Sequence, residues 1–181
     1  MIPLDQIPLG DNPPGEINLF VTAPAEGEPL ALRIDETSGA LTVTHLFQSA
    51  MRYPGNCGVV PHTAVEDGMP LQAMMVGTHR LAPGTIVAVR PVGVLYVTGE
   101  VEEITLLTVP LSRLTPRYDR VASYTDLPAA ELRQIAHFFC HYREVEEHGR
   151  PRTSGWGDVS EAHRTLQEAA ARARRPADAR S

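Results

Sequence analysis

The stretch from Tyr53 to Gln72 concentrates side chains that could do chemistry. Its sequence, YPGNCGVVPHTAVEDGMPLQ, holds a cysteine, a histidine and an acidic pair between two apolar runs. Glycine permits backbone angles that other residues avoid, and proline fixes φ, so their repetition here favours an ordered loop. Ordered loops that present side chains commonly carry binding or catalytic sites. The alternative interpretation is a well-packed connection with no chemistry of its own.

Longer motifs around this stretch resemble the soluble (family I) inorganic pyrophosphatases. AMRYPGNCGVVP followed by EDGMPLQ is similar to the family signature AM-x-YP-x-NYG-x-IP and D-G-D-P-x-D. Five further segments occur in the same order as in the family: INLFVTAP, TSGAL, APGTIVAVRPVGVL, LPAAELRQIAHFFCHYR and GWGD. The resemblance implies an α+β, mainly β fold: a pyrophosphatase-type (OB-like) closed β-barrel with two flanking helices. We expect a single domain over residues 1–175 and a disordered tail over 176–181.

Composition limits the classes of function. The chain has 181 residues and a formal charge of −6, and all 16 of its Lys and Arg residues are Arg. An acidic balance without a basic, aromatic-rich stripe argues against nucleic-acid binding. The chain has no long apolar run and no signal-peptide pattern, so we expect a cytoplasmic protein without membrane contact. Cys57 and Cys140 match no metal or redox spacing and are expected to be reduced thiols.

Alternating apolar residues predict the strands that would position the site. Ile17, Leu19 and Val21 fall on one face of a strand, and several β-rich runs follow at the spacing of a barrel. His45 shares a strand face with Leu41 and is expected at the core or rim. The acidic run that includes Glu103 is expected at a solvated hairpin end.

From Asp126 onward the period becomes helical. Asp126 is expected to cap a helix that ends near Gly149 and Pro151 and buries one face. The residues of that face are Leu132, Ile135, Phe139 and Tyr142. Residues 154–157 are expected to turn around Trp156, before a last helix that is acidic at its start and Arg-rich at its end.

The resemblance assigns the family's functional positions to this chain, and most carry different residues. The replaced positions are Thr22, Ala31, Arg33, His45, Cys57, Met69, Gln72, Gly99 and Thr105. The retained ones are Asp67 and Glu103 among the carboxylates, Tyr53, and Tyr142 with Arg143. Diphosphate hydrolysis with divalent metals needs several carboxylates around hard cations. Two carboxylates therefore predict that efficient diphosphate hydrolysis has been lost.

The preferred hypothesis is a redeployed enzyme that performs acid–base chemistry on a small organic molecule, without a metal or other cofactor. Lyase, isomerase, cyclase and hydrolase reactions of specialised metabolism all fit it. The expected catalytic residues are Asp67, His45, Glu103 and Tyr53, with Tyr53 and Tyr142 as donors to an oxyanion. The expected substrate-binding residues are Arg33, Cys57, Met69, Gln72, Thr105, Tyr142 and Arg143.

Two alternatives from other classes stay open. One is a Mg²⁺-dependent inorganic pyrophosphatase that hydrolyses diphosphate to phosphate, with Asp67 and Glu103 as its metal ligands. The other is a non-catalytic binding or assembly protein. The expected partners are a small-molecule substrate and further copies of the chain in a homo-oligomer such as a hexamer. Cys57 could be a nucleophile beside His45 or His62, but a buried inert thiol is favoured.

Overall fold

The computed structural model describes residues 3–35, 39–99, 102–144 and 152–174. Within these ranges it contains eight strands and two α-helices. The strands are β1 Ile17–Ala23, β2 Leu30–Ile34, β3 Leu41–Leu46, β4 Asn56–Val59, β5 Gln72–Met75, β6 Ile86–Thr98, β7 Glu103–Pro110 and β8 Thr153–Gly157. The helices are α1 Ala129–His141 and α2 Val159–Ala173, with short 3-10 turns at Leu4–Gln6, Pro116–Tyr118 and Tyr124–Asp126. The predicted mainly β fold with two helices is confirmed.

Six strands form one sheet, and the pairings of five of them close into a ring, with β8 paired to β6 alone. The order is β1-β4-β5-β7-β6-β8, and β1 pairs with β6 as well as with β4. β5 and β7 run parallel, with Gln72 opposite Thr105, while the other pairs are antiparallel. Strands β2 and β3 form a separate hairpin in which Ala31 lies opposite His45.

The two faces of the sheet bury different sets of apolar side chains. Alternation sends Ile17, Leu19 and Val21 into the core beneath α2, as predicted, with Leu166 packed against them. The other face of the sheet packs against α1, and Leu107 of β7 and Phe138 of α1 belong to the same buried cluster there. Because successive strand residues face opposite sides, Glu103, Thr105 and Leu107 of β7 all face α1.

Several local predictions are wrong. Asp126 does not cap α1: its carboxylate accepts hydrogen bonds from the N–H groups of Ala122 and Ser123 in the preceding turn. Residues 153–157 form strand β8 instead of a turn, since Thr153 to Gly157 pair with β6. Part of the Tyr53–Gln72 stretch is strand β4.

Other predictions have mixed outcomes. The apolar face of α1 is buried as expected at Ile135 and Phe139. His45 is exposed, so of the two locations expected for it, core or rim, the core is ruled out. Gly149, Pro151 and the tail at 176–181 lie outside the described residues. In the part of the chain described, neither helix has the length and apolar character needed to cross a bilayer.

Candidate functional site

Glu103 is a buried carboxylate at the start of β7, on the face that packs against α1. It is 7% exposed, and both of its oxygens are engaged. The Tyr142 hydroxyl donates to Oε1 at 2.7 Å, and Nη2 of Arg152 donates to Oε2 at 2.7 Å. The acidic run therefore does not form a solvated hairpin tip at Glu103. A carboxylate removed from water requires such charged and hydrogen-bonded partners.

Arg143 extends this group towards solvent. Its Nε donates to the Tyr142 hydroxyl at 2.7 Å, and Nη2 lies 4.0 Å from Oε1 of Glu103. The guanidinium also lies over two aromatic rings, 5.3 Å from the centroid of Phe47 and 5.2 Å from that of Tyr142. Its side chain is 24% exposed, so it remains within reach of a solute.

Tyr53 and Cys57 lie on the same side of the sheet, close enough to Glu103 to experience its charge. Burial first, and then electrostatic interaction with Cys57 and Glu103, raise the pKa of the Tyr53 hydroxyl, which donates to the carbonyl of Leu30 at 3.1 Å. Burial first, and then Glu103, raise the pKa of the Cys57 thiol. At neutral pH the thiol is protonated, which agrees with the inert interpretation and not with a nucleophile.

The two tyrosine hydroxyls do not support the oxyanion role. Tyr142 donates its single hydroxyl hydrogen to Glu103, and Tyr53 donates its own to Leu30. Burial, and then the charge of Glu103, raise the pKa of Tyr142, so it remains a neutral hydroxyl at ordinary pH. Each of the two hydroxyls therefore holds two segments of the protein together.

Asp67, Met69 and Arg33 form a second, exposed group. The Asp67 carboxylate accepts a hydrogen bond from the Met69 N–H at 2.9 Å across a turn in which Gly68 has a φ of +82°. Nη2 of Arg33, on β2, lies 3.0 Å from the sulfur of Met69. Asp67 is exposed to solvent, so burial does not tune its carboxylate for acid–base chemistry.

The remaining candidates lie around these two groups. Gln72 and Thr105 are cross-strand neighbours on the α1 face of the sheet; Thr105 is buried and Gln72 is exposed. His45 stacks on Phe47 with ring centroids 4.6 Å apart, and Phe47 contacts Tyr142 at 5.1 Å. His45 therefore lies at the margin of the Glu103 group.

Two features near the site were not predicted from the sequence. Arg152 was not predicted, because nothing in its local pattern indicates a partner 49 residues away. Asn56, which is fully buried, accepts hydrogen bonds from Ala25 N and Leu81 N and donates to the His79 carbonyl. A buried polar residue directly before Cys57 in an apolar strand was the signal for this tie.

The charges of the Glu103 group favour an anion. One carboxylate and the guanidinium groups of Arg143 and Arg152 leave the group with a net charge of +1. Nowhere within 3–35, 39–99, 102–144 and 152–174 do three or more His, Cys, Asp or Glu side chains converge to hold a metal ion. These residues thus do not fit a resident cluster of metal ions.

Comparison with known proteins decides the family. The sequence model described as inorganic pyrophosphatase matches residues 20–174. This chain is a member of the inorganic pyrophosphatase family. It is 40% identical over 166 residues to an inorganic pyrophosphatase of Bradyrhizobium diazoefficiens, covering 91% of this chain and 93% of the relative. It is 43% identical over 169 residues to that of Agrobacterium fabrum, covering 92% and 94%.

Solved structures of pyrophosphatases share the fold. A structure described as an inorganic phosphatase from Anaplasma phagocytophilum has a TM-score of 0.85 at 32% identity, covering 94% of this chain and all of its own. The inorganic pyrophosphatase of Thermus thermophilus also has a TM-score of 0.85, at 28% identity, covering 96% of this chain and all of its own.

These relatives overturn the hypothesis of a redeployed enzyme on an organic substrate. The expectations that diphosphate hydrolysis is unlikely and that no metal is needed are wrong for the same reason, because the chain belongs to a family of Mg²⁺-dependent enzymes. The number of carboxylates alone does not decide whether Mg²⁺ is used. Mg²⁺ keeps several waters and is often held by one or two carboxylates together with substrate phosphates, so a small number of protein ligands does not exclude it.

Proposed function

We propose that this chain hydrolyses inorganic diphosphate to two phosphates, and that diphosphate enters as its magnesium complex. The supporting observation is the identity of about two residues in five with relatives named inorganic pyrophosphatase, over more than nine-tenths of the chain. In the reaction a water oxygen bonds to one phosphorus, the bridging P–O bond breaks, and the protons of water pass to the phosphate products.

Arg143 is the residue proposed to bind the phosphate oxygens. Its planar guanidinium presents donors in a fixed fork, which suits phosphate better than a flexible ammonium group. The Tyr142 hydroxyl and the Phe47 ring hold the guanidinium in place, so little side-chain entropy is lost when an anion binds. The net charge of +1 in the Glu103 group attracts the same anion.

Asp67 is proposed to contact the magnesium of the substrate complex. Of the two retained carboxylates, Asp67 is exposed, whereas Glu103 is buried and engaged by Tyr142 and Arg152. An exposed carboxylate can contribute to a partly hydrated Mg²⁺ without first losing a protein partner. Arg33 on β2, which contacts Met69 in the turn of Asp67, would add a second guanidinium for the phosphate oxygens.

A homo-oligomer such as a hexamer remains a prediction. Association of copies is measured by light scattering after gel filtration. The proposed chemistry does not depend on the outcome, because Arg143 and Asp67 both lie within one chain.

The test is phosphate release from diphosphate with Mg²⁺, Mn²⁺ or Zn²⁺, compared with the same assay in EDTA. We expect metal-dependent release by the unaltered chain and a loss of roughly tenfold to a hundredfold in Asp67→Asn, the range for removing a residue that supports a metal site from its outer shell. Asp119→Asn is the matched control, because Asp119 is also an exposed aspartate and lies outside the site. It should retain full activity.

The outcomes separate the activity from its residue assignment. Release at background level by the folded chain with every metal would overturn the proposed function. Metal-dependent release that is equal in Asp67→Asn and in the unaltered chain would leave the function standing and remove Asp67 from it.

A further inference from the structure

The ion pair between Glu103 and Arg152 is almost completely excluded from solvent. Their side chains are 6% and 3% exposed, and the two partner atoms, Oε2 and Nη2, are 2.7 Å apart. A buried pair of this kind is strongly held, because removing either partner strands a charge in the interior. Arg152 immediately precedes β8, so the pairing of β8 with β6 delivers it to the carboxylate.

Gly99 makes room for this arginine. A Cβ built at Gly99 would lie 2.8 Å from Cγ of Arg152, 3.4 Å from its Nε and 3.5 Å from its Cδ. The first distance is shorter than real Cβ contacts allow, so a larger residue at position 99 requires Arg152 to move. The stem of Arg152 thus fills the space beside Gly99, on the path to Glu103.

A divalent metal ion would have to compete with this arrangement. It would need the same carboxylate lone pairs that accept from Arg152 on Oε2 and from Tyr142 on Oε1. It would also bring two positive charges close to the guanidinium groups of Arg152 and Arg143, where poor solvation strengthens repulsion. Both effects oppose metal binding at Glu103.

We propose that Arg152 is a built-in cation that takes the place of a metal ion at Glu103. Glu103 then serves as a positioning residue that holds Tyr142 and, through it, Arg143, while metal ions bind elsewhere. The inference goes beyond diphosphate hydrolysis and does not rest on it, since it concerns metal binding to the protein without substrate.

The test is Mn²⁺ binding to the full chain without diphosphate, measured by calorimetry and by the EPR signal of free Mn²⁺. In Arg152→Met, which keeps a stem of similar length without the charge, we expect an additional Mn²⁺ site with affinity raised roughly tenfold or more. The gain should vanish in the double variant Arg152→Met with Glu103→Gln. Arg164→Met is the matched control, because Arg164 is paired with Glu161 on the exposed surface of α2. It should bind Mn²⁺ as the unaltered chain does.

Two results would overturn the proposal. One is equal Mn²⁺ binding by Arg152→Met and the unaltered chain, and the other is a gain that survives in the double variant. Glu103→Gln alone provides a second test if Arg152→Met fails to fold. Because the proposal gives Glu103 no part in metal binding, this near-isosteric variant must bind Mn²⁺ with unchanged stoichiometry and affinity, and a weaker or lost site refutes it.

Discussion

Replacement of the buried Asn56 by alanine tests how the strand that carries Cys57 is fixed. Asn56 is 0% exposed and makes three hydrogen bonds. Its Oδ1 accepts from Ala25 N at 3.1 Å and from Leu81 N at 2.9 Å, and its Nδ2 donates to the His79 carbonyl at 2.8 Å. One side chain thereby ties β4 to two separate loops beside the site.

The expected loss follows from the environment of each partner. The Ala25 N–H is buried and would be left unsatisfied in Asn56→Ala, at a cost of about 1–3 kcal/mol. The Leu81 N–H and the His79 carbonyl are partly buried and can recover some hydration, so each adds about 0.5 kcal/mol. We therefore expect the free energy of unfolding to fall by about 3 kcal/mol in all.

Urea unfolding measures this loss. With an m-value of about 2 kcal/mol per M, the midpoint of unfolding should fall by about 1.5 M urea. Protein concentration is held constant, because any association of chains would shift the midpoint. Asn18→Ala is the matched control, since Asn18 makes one exposed hydrogen bond, to the Pro8 carbonyl at 3.0 Å. If the two variants lose the same small amount, Asn56 does not fix the strand.

Two further changes probe the site itself. Tyr142→Phe removes the hydroxyl that joins Glu103 to Arg143. We expect KM for diphosphate to rise about tenfold and the free energy of unfolding to fall by about 1–2 kcal/mol. Tyr96→Phe, on the opposite face of the sheet, is the control, and an equal, unchanged KM in both variants would contradict the prediction. The pKa of Cys57 is raised above its usual value of 9.0, so its stabilising contribution is complete below that pH and is lost as pH rises further. The melting temperature should fall above pH 9, and less steeply in Cys57→Ala; an equal or steeper fall in that variant would show the assigned sign to be wrong.

Periodic features of the fold could be predicted from the sequence. The alternation at Ile17, Leu19 and Val21 predicted a buried strand face, and the helical spacing of Ile135 and Phe139 predicted the buried face of α1. In both cases the driving force is burial of apolar area, which leaves a regular trace along the chain. The family signature supplied the remaining order of elements.

The polar interior could not be predicted in the same way. Glu103 lies in an acidic run that is typical of a solvated tip, and its burial depends on Arg152, which lies far away in the sequence. The Gly-rich sequence around Trp156 favoured a turn, yet these residues form a strand because the edge of β6 provides hydrogen-bonding partners. The assembled sheet decides which distant charged residues come into contact. Local sequence propensity does not contain this information.

The closed ring of strand pairings also constrains the order in which the sheet can form during synthesis. β1 cannot complete its pairing with β6 until Val89 has left the ribosome, although Ile17, the partner of Val89, emerged long before. The part of β6 from Val94 to Thr98 then keeps one unpaired edge until β8 is synthesised, and only then can Arg152 reach Glu103. At roughly 5–20 residues per second, an open sheet edge and an uncompensated acid persist for several seconds of each synthesis. A chain cut short before β8 would keep both defects permanently, which makes nascent and truncated copies, more than finished ones, targets for chaperones and proteases.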